Sequence, residues 1–378
     1  MVSDKLVVKQ PGEWSVGVVG AGFIVRDCHL VAYRNAGIFP RAITSKRVEQ
    51  ARETALQHSI EHVHDSVEAM LDANFFDVID IAVPPTAQPG IIRRILEHPN
   101  RPRGILAQKP LAMSLEEAKE IVSACRRAKV ALQVNQNMRY DKSVRGLKEL
   151  LDQGRLGDPV LATIEMRAIP HWMPWSQGSR SLATFIMSIH HLDTFRFWLG
   201  EPVRVMASTR KDPRTTFDHF DGINLYILEF DGNARASAWD DVWTGPAREG
   251  AGSDMSIRWR FEGTRGLACG TISWPSWPER VPSTLDYTTV EDGGAWHRPR
   301  WPEAWFPDAF AGPMMGLLNA LQTGREPDIS GRDNVRTIAL CEAVLRSARE
   351  HRVTVPRIGS VADQPDIESD SDEHSPGH

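Results

Sequence analysis

Three groups of residues in this 378-residue chain have types and spacing suited to chemistry. The first is Gly20-Ala21-Gly22, which follows the apolar run Trp14–Val19 and opens a helical stretch. The leading glycine permits a tight turn, and the second lets the main chain approach a pyrophosphate. The helix N-terminus behind them offers free N–H groups to negative charge. Val25 holds the place of a third glycine, and its branched side chain is expected to push the helix off the strand or rotate the contact.

The second group is Ser45-Lys46-Arg47, at the end of the next short apolar run. A carboxylate at this point would hold a ribose 2′-hydroxyl. A hydroxyl and two cations instead suit a 2′-phosphate, because guanidinium and ammonium groups pair well with phosphate. The expected cofactor is therefore NADP, with NAD the alternative. The third group is Lys109 together with His190 and Asp193. Lys109 stands just past the apolar run Gly104–Ala107 and before Pro110, at the carboxyl edge of a parallel sheet, where ligands bind. His190 and Asp193 are three residues apart on a largely apolar helix and share a face. A carboxylate beside an imidazole fixes its tautomer and raises its basicity. His191 lies about 100° round the helix and cannot share that role equally.

The elements that must position these groups follow from periodicity. Short apolar runs at Trp14–Val19, Arg41–Ser45, Asp77–Val83, Gly104–Ala107 and Ala131–Val134 alternate with helical stretches, which means βαβ units and a parallel sheet. Ser114 and Glu117 form a capping box at the start of one such helix. The character changes after Tyr140. Ile257, Trp259 and Phe261 alternate with Ser256, Arg258, Arg260 and Glu262, the pattern of an antiparallel strand with one polar face. Further strands are expected at 160–167, 203–208, 223–230, 234–240 and 267–274, with helices at 183–199, 314–323 and 334–350. The division this suggests is an N-terminal extension at 1–13, a dinucleotide-binding α/β domain at 14–137, and an α+β domain for substrate and oligomerisation at 138–358. An acidic disordered tail follows at 359–378.

Composition excludes several classes. The charged fraction is 25% and the hydrophobic fraction 41%, as in ordinary globular chains. Six of the acids lie in the last twenty residues, so the body is near neutral and gives no sign of a nucleic-acid partner. No apolar stretch is long enough to cross a membrane. The four cysteines are far apart and lack the spacing of a metal site or a disulfide framework. With no export signal at the start, free thiols point to the cytoplasm. Eleven of the twelve tryptophans fall between Trp172 and Trp305. Trp172 and Trp175 could stack on the C–H faces of a sugar, with Arg167, His171, Asp240, Asp241, Arg298 and Arg300 as polar neighbours. A sheet with a large aromatic face also suggests a homodimer or homotetramer.

The ordered set Gly20-Ala21-Gly22, Pro84-Pro85, Gln108-Lys109-Pro110, Asn137-Met138-Arg139-Tyr140, and His190 with Asp193 resembles the glucose–fructose oxidoreductase / inositol dehydrogenase / MocA family. Gly324-Arg325-Glu326-Pro327, followed by Ser330-Gly331-Arg332-Asp333, is similar to that family's closing pattern. The resemblance covers almost the whole chain. It implies a Rossmann domain followed by a domain built on an open, mostly antiparallel sheet, and an NAD(P)-dependent oxidoreductase acting on a sugar or polyol. Together with the residue readings above, it places the cofactor on Gly20, Gly22, Phe23, Ile24, Ser45, Lys46, Arg47, Pro84, Gln88, Gln108, Lys109 and Asn137. Lys109, His190 and Asp193 become the catalytic residues. His190 is then the base for the hydroxyl proton, and Lys109 stabilises the reacting oxygen; the reverse assignment stays open. Substrate falls to Arg139, Arg167, His171, Trp172, Trp175, His190 and Asp193. The chain departs from the family pattern at Gln108, where the family has glutamate, and at Ile186, where many members place an aspartate. Those departures leave two rival readings: a non-catalytic dinucleotide-binding regulator and a redox-assisted glycosidase. Net cofactor turnover marks the dehydrogenase, none the regulator, and sugar release without net turnover the glycosidase.

Overall fold

The computed structural model describes residues 10–357, apart from 74, 168–175, 179, 182, 216, 242–254 and 275–277. Its first sheet has six strands: β1 (Val16–Val19), β2 (Ala42–Thr44), β3 (His62–His64), β4 (Val78–Ile81), β5 (Gly104–Gln108) and β6 (Ala131–Asn135). They lie in the order β3-β2-β1-β4-β5-β6, and every pairing is parallel. The middle strands are short apolar runs without alternation because both faces are covered: β1 and β4 are buried at every residue. The strand order reverses between β1 and β4, so their carboxyl ends open on the crevice where doubly wound sheets bind ligands.

The second sheet has seven strands: β7 (Pro159–Arg167), β8 (Pro202–Arg210), β9 (Ile223–Phe230), β10 (Arg235–Asp241), β11 (Ser256–Gly263), β12 (Gly266–Thr271) and β13 (Thr284–Thr289). Their order is β13-β12-β11-β7-β10-β9-β8. Only β7 and β10 pair in parallel; the other ladders are antiparallel. Ile257, Trp259 and Phe261 are buried as their alternation requires, and the turn after Glu262 joins β11 to β12.

Some elements differ from expectation. β3 and β13 are edge strands with few apolar residues, so their sequences carry no strand signal. β12 ends at Thr271, three residues short of the expected end. The helix Ala311–Thr323 returns to the first sheet, where Met314, Leu317 and Leu318 join Val16, Val18, Ile43, Val78 and Leu106 in one core. Among the described residues, no helix is long and apolar enough to cross a membrane.

Candidate active site

The glycine turn is dictated by close approach. Gly20 has φ +118°, and a Cβ there would lie 2.3 Å from the Ala82 carbonyl oxygen. At Gly22 a Cβ would meet nothing within 4 Å, so the main chain borders open space, as a cradle for a pyrophosphate must. Val25 is fully buried, and the helix behind it begins as a π-helical turn over Ile24–His29 before becoming α-helical.

A cavity of about 1000 Å³ runs from this turn along the carboxyl ends of β1, β2, β4 and β5. Gly20, Gly22, Phe23, Ile24, Ser45, Lys46, Arg47, Pro84, Gln108, Lys109 and Asn137 all line it. Ser45 Oγ accepts the Arg47 N–H at 3.3 Å, where the helix Val48–His58 begins. Gln50, Asp65 and Arg94 line the same end and were not legible beforehand. Asp65 follows β3, the strand that its own sequence hides. It is the single carboxylate among the described lining residues, against the cations Lys46, Arg47, Arg94 and Lys109. The site therefore favours an anionic ligand.

Gln88, assigned to the cofactor from sequence, does not line the cavity. It is buried, and its Oε1 accepts the Gln108 N–H at 2.8 Å. Its Nε2 donates to the carbonyls of Gln108 at 2.6 Å, Pro110 at 3.1 Å and Leu111 at 3.2 Å. Gln88 shapes the segment that carries Lys109 and is a positioning residue. Beneath that segment lies a second buried network. His29 Nδ1 is 2.7 Å from Asp80 Oδ2, Tyr33 donates to the same oxygen at 2.8 Å, and Asn135 Nδ2 reaches His29 Nε2 at 2.8 Å. An amide donating to Nε2 puts the ring proton on Nδ1, facing the carboxylate.

At the other end of the cavity, Lys109 Nζ donates to the Ile186 carbonyl at 2.6 Å. Burial of that amine pushes its pKa down to about 7. Ile186 sits in a second π-helical turn, Thr184–Ser188; such turns are frequent at functional sites. Where the family pattern has an acid, this chain offers the lysine a main-chain oxygen. The turn is pinned on its far side. Asp221 accepts the Thr184 N–H at 2.8 Å. Asp240 accepts from the Ser188 hydroxyl and lies 2.8 Å from His191 Nδ1. His190 is buried beside Lys109, and its Nδ1 has no hydrogen-bond partner. Burial first, then the neighbouring positive charges of Lys109 and His191, hold its pKa well below the ordinary value.

The structure corrects five further residue assignments. Asp193 does not pair with His190: it accepts from Arg139 Nε at 2.6 Å, Arg139 Nη2 at 2.7 Å and the Thr337 hydroxyl at 2.7 Å. Arg139 is thereby engaged too, with Asp333 as a further partner at 2.8 Å, and neither residue lines the cavity. Arg167 lies away from it, 3.8 Å from Asp241 and over the Trp239 ring. Arg298 and Arg300 both pair with Asp286. His171, Trp172 and Trp175 lie outside the described residues. Phe306, Phe310 and Trp274 line the cavity without having been singled out.

A glycine turn at one end of the cavity and a half-buried lysine beside a buried histidine at the other, on the carboxyl edge of a doubly wound sheet, define a dinucleotide-dependent oxidoreductase. Comparison with known proteins gives the class a family. Residues 14–136 match the oxidoreductase family with an NAD-binding Rossmann fold, and residues 144–269 match the GFO/IDH/MocA C-terminal domain. The chain belongs to the Gfo/Idh/MocA oxidoreductases. It is similar to a D-apiose dehydrogenase of Paraburkholderia graminis, with 26% identity across 94% of this chain and 92% of that one. An inositol 2-dehydrogenase of Rhizobium meliloti is 25% identical across 76% of this chain and 82% of its own length. Among solved structures, an oxidoreductase from Agrobacterium radiobacter in complex with NAD+, L-tartaric acid and magnesium shares the fold. It superposes with a TM-score of 0.76 at 21% identity, covering 91% of this chain and 98% of that chain. A levoglucosan dehydrogenase in complex with NADH and L-sorbose does so with a TM-score of 0.77 at 19% identity, covering 91% and 99%.

Proposed function

We propose that the chain oxidises a secondary alcohol of a sugar or polyol, or reduces the matching ketone, and that it prefers NADP to NAD. The observation that carries the reading is Lys109: a half-buried, desolvated amine poised near pH 7, 2.6 Å from the Ile186 carbonyl, at the far end of the cavity that begins at Gly20. The sugar and polyol dehydrogenases among its relatives support the substrate class. Gly20, Gly22, Phe23 and Ile24 would hold the pyrophosphate, Ser45, Lys46 and Arg47 a 2′-phosphate, and Gln108 and Asn137 the nicotinamide riboside. When bound, the cofactor supplies the hydride acceptor, or the donor in the reverse direction.

The protein's own residues handle the proton. A general base works best with a pKa near the operating pH. Lys109 meets that condition, and its neutral amine takes the hydroxyl proton. His190, held neutral by burial and by the Lys109 charge, hydrogen-bonds the same oxygen. This reverses the assignment favoured from sequence, in which an unperturbed imidazole was the natural base. The test is nicotinamide absorbance, followed with a panel of sugars and polyols and both cofactors. Substrate-dependent turnover that Lys109→Met abolishes is the expected result. Silence across the panel overturns the reading.

A second copy of the chain is the proposed partner, through the outer face of the seven-stranded sheet. Met206, Leu225 and Ile227 are 36%, 51% and 43% exposed there. Four free cysteines, three of them buried, fit a reducing cytoplasm.

A further inference from the structure

The oxygen that meets Lys109 Nζ at 2.6 Å is the main-chain carbonyl of Ile186. A carboxylate side chain at that position would carry its own oxygens to the lysine on rotatable bonds. A carbonyl goes only where its turn puts it. The turn Thr184–Ser188 is π-helical, a geometry that occurs mostly as single turns. Whatever anchors its ends therefore decides where the Ile186 oxygen points.

Both ends are anchored by the second sheet. At the first end the Asp221 carbonyl accepts the Ala183 N–H at 2.9 Å, and Asp221 Oδ2 accepts the Thr184 N–H at 2.8 Å. At the last end the Ser188 hydroxyl donates to Asp240 Oδ2, while Asp240 Oδ1 lies 2.8 Å from His191 Nδ1. Asn224 joins the two ends. Its Nδ2 donates to the Thr184 hydroxyl oxygen at 2.9 Å and to the Ser188 hydroxyl oxygen at 3.2 Å. Asn224 on β9 and Asp240 on β10 are register partners in an antiparallel ladder, so the sheet itself sets their spacing. Thr184, Ser188, Asn224 and Asp240 are all buried, where a lost hydrogen bond is costly.

A neutral amine has two N–H groups and one lone pair. Once one N–H is held by a fixed carbonyl, the direction of the lone pair is restricted, and the lone pair is what receives a hydroxyl proton. Resting on the alcohol-oxidising reading above, we propose that Asn224 and Asp240 are positioning residues: by clasping both ends of the turn Thr184–Ser188 they hold the Ile186 carbonyl on Lys109 and aim its amine at the substrate. The sheet of the second domain thus reaches the reacting atoms through main chain alone. The titratable groups around the lysine and the clasp are His190, His191, Asp221, Asp240, Tyr226 and Cys341.

Two substitutions cut the clasp without changing any formal charge: Ser188→Ala, which deletes one atom, and Asn224→Leu. The amine is read directly by competitive acetylation of the full chain with acetic anhydride at a series of pH values, followed by mass analysis of the peptide that carries Lys109. The unaltered chain is expected to give a midpoint at about 7. A carbonyl stabilises the ammonium more than the amine, so both variants are expected to give midpoints lower by about half a unit to one unit, part of what a hydrogen bond to a charged group is worth. Above both midpoints, kcat for alcohol oxidation is expected to fall about tenfold to a hundredfold, as misplacement of a reacting group costs, with KM little changed. Met70→Ala, in the core of the first domain, costs stability as well but leaves the midpoint in place. A Ser188→Ala chain with native circular dichroism, an unmoved midpoint and unchanged kcat overturns this proposal while the alcohol-oxidising reading stands. A displaced midpoint in a protein that turns over no sugar or polyol with either cofactor keeps the clasp on Lys109 and overturns the alcohol-oxidising reading instead.

Discussion

Arg139 grips Asp193 with two guanidinium nitrogens, at 2.6 and 2.7 Å, and so takes from His190 the carboxylate that helix spacing had offered it. Thr337 and Arg196 close the cluster around the same carboxylate, and Arg196 also reaches Asp333 at 2.9 Å. The cluster ties the turn after β6 to the helices Ile189–Leu199 and Gly331–Glu350.

Asp193→Asn is accordingly a stability variant. Arg139 and Arg196 keep Asp333 as a partner, so the substitution removes one carboxylate from a shared buried cluster, at a cost of about 1 to 3 kcal/mol. Urea unfolding of the Asp193→Asn chain is expected to show a loss in that range. The pH dependence of turnover stays where it was. A displaced pH profile with unchanged stability would show instead that Asp193 does serve His190.

Lys109 makes the pH dependence directional. Its pKa lies at about 7 rather than the ordinary 10.5, because burial disfavours the ammonium. Alcohol oxidation needs the free amine, so kcat/KM for oxidation rises with pH and levels off above about 7. Ketone reduction needs the ammonium and falls over the same interval. Lys109→Arg keeps the charge but cannot release a proton, and loses about 100-fold to 10,000-fold in oxidation. The same shift has a stability consequence. Between the folded and unfolded pKa values the unfolded chain binds the extra proton, so stability rises with pH from about 7 towards 10.5. Lys109→Met removes that slope, which unfolding curves across the interval would register.

The sequence and the structure part company where partners come from distant segments. The strand–helix alternation was legible because β1, β4 and β5 are apolar runs bounded by turn residues. β3 was not, because His62–His64 is a three-residue edge strand with a single apolar side chain. Gly20, Lys46, Lys109 and His190 were legible because glycine turns and sheet-edge lysines are local features. Gln88 was misread because its role depends on carbonyls about twenty residues ahead of it. Arg139 was misread because Asp193 and Asp333 reach it from other helices. No local pattern encodes such meetings. Trp274, Trp305 and Phe306 line the cavity together from two separate chain segments, a meeting that no local pattern marks.

Cofactor choice should follow the end of β2. Ser45, Lys46 and Arg47 line the cavity there without a neighbouring carboxylate on the same turn. Replacing Lys46 and Arg47 together with alanine is expected to weaken NADPH binding tenfold or more, since each phosphate contact to a cation is a charge-assisted hydrogen bond. NADH binding changes little. Fluorescence titration with both reduced cofactors measures this, and raising the salt concentration should erode the NADPH preference first. Equal weakening for the two cofactors would place the cations elsewhere on the ligand.

The second copy proposed above is assigned to the outer face of the seven-stranded sheet. Met206 on β8 faces Ile227 on β9, and Leu225 faces Trp239 on β10. On the other flank Arg258 on β11 faces Glu165 on β7. An exposed apolar patch on β8 and β9 with charged cross-strand neighbours further along the sheet suits contact with a second copy. Leu225→Glu combined with Ile227→Glu puts two like charges into that centre. Both side chains point away from the core, so the cost to the isolated fold is within about 0.5 kcal/mol per site. Light scattering coupled to size exclusion is expected to give the mass of a dimer or tetramer for the unaltered chain and that of a monomer for the double variant, with circular dichroism unchanged. An unaltered chain that already runs as a monomer at micromolar concentration would rule this interface out.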